Sequence, residues 1–157
     1  PPAHIRDPRG RKLGEHAVIH FFTIGQRQGL GLGGRRDGSG EPWFVVGKDP
    51  ATNTLWVDQG NSDLLYSTEL DANGLNWVAG AAPNDAFACT AKTRYRQNDQ
   101  RCTVKRLDGS GWRVYFDVRQ RAVTPGQSVV FYDGDVCLGG GTIEATNAAY
   151  GGLANAA

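Results

Sequence analysis

The chain of 157 residues has no methionine, not even at its first position, which is Pro1. An intact reading frame opens on methionine, and the opening "PPAHIRDPRG" reads as a linker, so the sequence predicts a piece of a longer protein. No apolar run approaches the ~20 residues that cross a bilayer, and no secretory signal pattern is present. No membrane partner is expected. Cysteine is scarce: Cys89, Cys102 and Cys137 are the whole set, and none stands in C-x-x-C spacing. That argues against a thiolate zinc site and against a disulfide framework, and makes the cytoplasm the expected compartment. Histidine is as scarce, with His4, His16 and His20. The last two are four apart but lack a third ligand, so no metal is expected. The histidines are also far in sequence from the cysteines, and there is no G-x-S-x-G elbow and no obvious acidic pair. No catalytic residue is expected in this chain. A small hydrolase using Cys102, which follows Arg101, is the least supported reading.

Strong helix signals are missing too; short apolar runs and turn residues take their place. "PWFVVGKDPATNTLWVDQG" reads as a hairpin, with strands Trp43 to Lys48 and Thr54 to Gln59. "NSDLLYSTELDANG" reads as a capped helical turn and loop, with Asn61 or Ser62 as the cap. "LNWVAG" reads as a brief strand. From Phe87 onward the chain reads as strands broken by "DGSG", Pro125-Gly126 and Asp133-Gly134 turns. The expected fold is mainly β: a small glycine-rich module over residues 1–72, linker at its start, then an antiparallel β-barrel over 73–146. "TNAAYGGLANAA" has no periodicity and predicts a disordered tail, 147–157.

The run "GLGLGG", Gly29 to Gly34, fits G-x-G-x-x-G. A dinucleotide loop needs a strand before it and a helix after it, so that helix amides meet the pyrophosphate. "VIHFFTI" (Val18 to Ile24) could supply the strand. "RRDGSGEPWF" cannot supply the helix, because Gly38, Gly40 and Pro42 break it. The run predicts a glycine-rich turn.

Charge is uneven although the net is only +1. Residues 1–36 carry +5, 37–91 carry −7, 92–121 carry +6 and 122–157 carry −3. Two basic blocks suit a polyanion partner, and suit solvated strand faces as well. In "FACTAKTRYRQ" strand alternation puts Lys92, Arg94 and Arg96 on one face. Guanidinium groups grip phosphate or stack on bases. The same alternation sends Tyr95 toward the core, unless the strand ends first. The "TPGQ" turn would hold the Gln127 amide, a donor and an acceptor, in a fixed place.

Four segments, "FFTIGQRQGLGLGG", "PWFVVGKD", "AKTRYRQND" and "RAVTPGQSVVFYDGDVCLGGGTI", resemble in order and wording the C-terminal half of the bacterial tRNA-specific 2-thiouridylases. The resemblance runs from about Gly14 to Ile143. It implies a central domain and a C-terminal β-barrel behind an N-terminal ATP pyrophosphatase domain. That missing domain would use ATP, with magnesium, to adenylate the wobble uridine of tRNA, and persulfide sulfur would then go to C2. Its S-G-G-x-D-S loop does not occur here, and Cys89, Cys102 and Cys137 fall outside the family's catalytic pair. The implied partners are tRNA, the catalytic domain, and a sulfur-relay protein or cysteine desulfurase. The implied tRNA contacts are Arg94, Tyr95 and Gln127. Lys92, Arg96, Gln26 and Arg27 are secondary expectations, the last two facing tRNA or the catalytic domain. A free-standing RNA-binding or translation-factor-like barrel is the alternative; an S-G-G-x-D-S loop in the upstream coding sequence would exclude it.

Overall fold

The computed structural model describes residues 3–32 and 38–153. Among these the fold is mainly β, as expected, with two short 3-10 turns and no α-helix. The first unit is a four-stranded sheet in the order β2-β1-β4-β3. Its strands are β1 (His4–Arg6), β2 (Lys12–Glu15), β3 (Trp43–Asp49) and β4 (Thr54–Gln59). The hairpin of β3 and β4 forms where the sequence places it.

The opening segment is not a linker. Ile5 is fully buried, and β1 pairs in parallel with β4. The turn after β1 is tied by Asp7, whose carboxylate accepts from the Arg9 and Arg11 amides and from Arg11 Nε. "VIHFFTI" is not a strand either. Its buried residues are Ile19 and Phe22, three apart, while Phe21 is 78% exposed. That spacing suits a 3-10 turn, which forms at Ile19–Phe21. The described part of the glycine run plugs Leu30 and Leu32 into the core of the sheet. Gly33 and Gly34 lie outside the described residues.

The second unit is a closed six-stranded antiparallel barrel in the order β10-β5-β8-β7-β6-β9. It comprises β5 (Tyr66–Trp77), β6 (Ala86–Lys92), β7 (Gln100–Arg106), β8 (Trp112–Arg121), β9 (Ser128–Asp133) and β10 (Val136–Thr146). A boundary at residue 72 would cut β5 in two. The strand is continuous, and its pairing with β8 begins at Tyr66. Ser62 caps the 3-10 turn Asp63–Leu65 just before it, accepting from the Leu64 amide. Burial of apolar strand faces drives closure. Leu70, Val104, Val114, Val129, Phe131 and Ile143 fill the interior. Trp77 stacks on Phe131 at 5.8 Å and meets Trp112 edge-on at 5.2 Å. The "LGGG" run lets β10 approach both neighbours. A Cβ on Gly140 would sit 2.7 Å from the Val129 carbonyl, and one on Gly141 would sit 2.6 Å from that of Asn73.

Residues 147–153 of the expected disordered tail are placed and packed. Thr146 bridges to Gly152, and Tyr150 stacks on Trp56 of the first sheet at 4.7 Å. Gly47 in β3 leaves room for Tyr150: a Cβ there would collide with the tyrosine's own Cβ. The chain end thus clasps barrel to sheet. Residues 154–157 lie outside the described residues.

Candidate nucleic-acid interface

β6 ends at Lys92, and the chain then loops through Thr93–Asp99 before β7. Arg96 takes a left-handed backbone, with φ of 69°. Alternation therefore stops, and Tyr95 turns outward, 92% exposed rather than in the core. The Arg96 guanidinium lies over its ring at 5.7 Å. The loop is pinned from behind. Gln97 accepts from the Thr93 amide at 2.9 Å and donates to Gln120 at 3.0 Å, and Gln120 donates on to Gln100 at 3.1 Å. Gln120 is buried in the barrel wall. Gln97→Ala leaves its carbonyl oxygen short of that donor, which costs about 1–2 kcal/mol. Urea unfolding is expected to show that loss.

Gln127 is held by backbone alone. Its amide donates to the Thr124 carbonyl at 3.2 Å, and its carbonyl accepts from the Ile143 amide at 2.8 Å. Gly126, with φ of 93°, completes a type II turn behind Pro125. The Gln127 side-chain amide is exposed and makes no hydrogen bond to the described residues.

The first unit supplies the facing wall. The Gly25 amide donates to the Val45 carbonyl at 2.8 Å, and the Val45 amide donates back to Gln26 at 2.9 Å. The Ile24 amide donates across to Thr124 Oγ1 of the barrel at 3.2 Å. Gly25, with φ of 84°, lies so close to Ala122 that an added Cβ would sit 2.9 Å from that residue's own.

Two adjoining clefts result. One, of about 520 Å³, is lined by Gln26, Arg27, Arg94, Arg121 and Gln127 among others. The second, of about 600 Å³, is lined by Lys92, Arg94, Tyr95, Arg96 and Gln127 among others. Arg94 and Gln127 border both, so they form one open groove from the sheet to the barrel. Every residue expected at the site lines it. No carboxylate among the described residues pairs with Arg27, Arg94 or Arg96. Lys92 is partly neutralised by Asp99 at 3.3 Å and sits 5.3 Å from the Tyr132 ring centre. Gln26 has a local task as well: it accepts from the Thr23 amide and donates to the Gln28 carbonyl, shaping its own turn.

Sequence reasoning missed Arg121. Its Nε donates to Asn61 at 3.0 Å, and its guanidinium lies 5.5 Å from the Phe44 ring centre. That fixes a cation in the groove with nitrogens to spare. It belongs to the second basic block, the only sequence signal that could have flagged it. A more enclosed cavity of about 280 Å³ lies at the clasp between the units, walled by Ile19, Ile24, Val46, Leu65 and Tyr150 among others. Burial lowers the pKa of its Lys48. This mostly apolar seam does not suit a polyanion.

The two ring nitrogens of His16 lie against the Ala17 and Asn53 carbonyls. No group of three or more His, Cys, Asp or Glu among the described residues could hold a metal. No α-helix among the described residues offers amides to a pyrophosphate. Cys102 is 3% exposed, and its thiol is pushed up by its hydrogen bond to Cys89 and by burial, so it does not present an activated nucleophile to a substrate in solvent.

A family described as "tRNA methyl transferase PRC-barrel domain" matches residues 2–59, and one described as "Aminomethyltransferase beta-barrel domain" matches residues 67–143. The chain is 55% identical over 144 residues to the tRNA-specific 2-thiouridylase MnmA of Burkholderia ambifaria, covering 91% of this chain and 38% of that protein. It is 53% identical over 145 residues to that of Xanthomonas oryzae pv. oryzae, covering 92% and 38%. The chain belongs to the tRNA-specific 2-thiouridylase family. It spans about 38% of the length of these curated relatives. The PRC-barrel match falls on the sheet module and the beta-barrel match on the second unit, and the groove lies between them.

Proposed function

We propose that this chain is the tRNA-gripping part of a tRNA 2-thiouridylase. The observation that carries the proposal is the groove shared by both units, where Arg27, Arg94 and Arg96 have no carboxylate partner among the described residues. Free guanidiniums bind phosphates, and the exposed Tyr95 ring offers a stacking face for an unpaired base. Gln127 and Arg94, at the junction of the two clefts, would contact the RNA where it passes from barrel to module. Arg121 and Arg27 would hold the backbone on the module side. Bound across both units, the tRNA presents its wobble uridine to a catalytic domain carried elsewhere in the whole protein. That domain, not this chain, would be the one to hold ATP and magnesium for activating the uridine, and a relay protein or cysteine desulfurase would be its sulfur source. This chain's residues bind and orient; none of them performs the sulfur transfer. The compartment is the cytoplasm, where tRNA is.

The test is binding of this chain to an unmodified substrate-type tRNA at a series of salt concentrations. Affinity should fall with salt at a log–log slope of about −0.7 to −0.9 per phosphate contact. Salt-independent binding, or none by a chain that remains folded, would sink the proposal.

A further inference from the structure

Cys89 and Cys102 face each other across the β6–β7 ladder. They are direct register partners, with their sulfurs 3.7 Å apart. Directly opposed residues of antiparallel strands have Cα atoms about 4.5–5.5 Å apart, within the range that a disulfide spans. Both thiols are free. Their exposures differ: Cys89 is half-buried and reaches solvent, while Cys102 is sealed in the core. Their shared hydrogen bond lowers the Cys89 thiol's pKa and raises that of Cys102. A partly exposed cysteine with a second thiol 3.7 Å behind it is the arrangement of an oxidant-reactive cysteine and its resolving partner. Nothing in the tRNA-binding role needs these two sulfurs so close. Cys137, by contrast, is exposed and makes no sulfur contact.

We propose that Cys89 and Cys102 form a peroxide-reactive dithiol site that closes into a cross-strand disulfide. The Cys89 thiolate attacks one peroxide oxygen; the O–O bond breaks, hydroxide leaves and takes a proton to become water, and Cys89 becomes a sulfenic acid. The Cys102 sulfur then attacks the Cys89 sulfur. The S–S bond forms, the S–O bond breaks, and the Cys102 proton leaves with the hydroxyl as a second water. Two thiols lose two electrons, and one peroxide is reduced to two waters. The bond staples β6 to β7 at the foot of the loop that carries Arg94, Tyr95 and Arg96.

The experiment treats this chain with hydrogen peroxide, followed by alkylation and mass spectrometry. The expected intact mass falls by two hydrogen atoms, with one thiol, Cys137, still open to alkylation. Trypsin cuts at Lys92, Arg94, Arg96 and Arg101, so one peptide containing both cysteines appears only if the disulfide joins them. Cys89→Ser should abolish the bond. Cys102→Ala should let a Cys89 sulfenic acid accumulate, trapped by dimedone. If that buried substitution fails to fold, the Cys89→Ser chain and the wild-type peptide map decide. Cys89 oxidised beyond sulfenic acid without a link to Cys102, or Cys137 reacting first, overturns the proposal.

Discussion

Arg94→Ala is expected to weaken binding of substrate-type tRNA by roughly 5- to 150-fold, the equivalent of about 1–3 kcal/mol. Arg94 borders both clefts, so whatever runs along the groove passes it. It is exposed and has no carboxylate partner among the described residues, so its removal leaves no buried charge unpaired. The fold should be unchanged, and the loss should appear as binding alone. If Arg94 meets a phosphate, the salt slope also falls by about one contact. Gln127→Ala isolates the amide in the same way, because backbone hydrogen bonds alone hold its turn. A filter-binding or fluorescence titration of both variants against wild type checks this. Equal affinities for all three would place RNA contact outside the groove.

Gly25→Ala is expected to damage the groove without removing a binding side chain. A left-handed backbone costs an ordinary residue about 1–2 kcal/mol. The new methyl would also press on Ala122 Cβ, a rigid neighbour, for about 1–3 kcal/mol more. Thermal or urea unfolding should show a loss of about 2–5 kcal/mol. The chain can relieve the contact only by parting the two units at the point where Ile24 meets Thr124. tRNA affinity should therefore fall with Arg94 and Gln127 intact. Unchanged stability and affinity would show that the two units need not be held together here.

Much of this was legible in the sequence, where local chemistry decides structure. The Asp-Gly, Pro-Gly and "DPATN" turns fall between the strands they separate, because turn residues act over a few bonds. What was misread depends on partners distant in sequence. "HIR" becomes a strand because β4 offers it an edge. The sequence reads β5 as a loop, "STELDANG", followed by a brief strand at "LNWVAG". Its Leu70 and Ala72 are nonetheless buried in the interior, while Thr68, Asn73 and Asn76 are exposed. The tail lacks periodicity but is held by the Tyr150–Trp56 stack, the Thr146–Gly152 bridge and Asn147, which accepts from the Thr68 and Glu69 amides. Tyr95 was sent inward by an alternation that ends three residues earlier, at Lys92. The groove residues were named by motif and by resemblance. That they meet, and that Arg121 joins them, follows only from the docking of sheet on barrel.

The most direct test of a tRNA grip shared by both units is hydroxyl-radical footprinting of this chain with and without unmodified substrate-type tRNA. The account predicts protection of Tyr95 and of the peptides carrying Arg27 and Gln127 together, with Tyr115, which lines neither cleft, still reactive. Protection that leaves Tyr95 and Gln127 as reactive as in the free chain, while covering other faces, would contradict it.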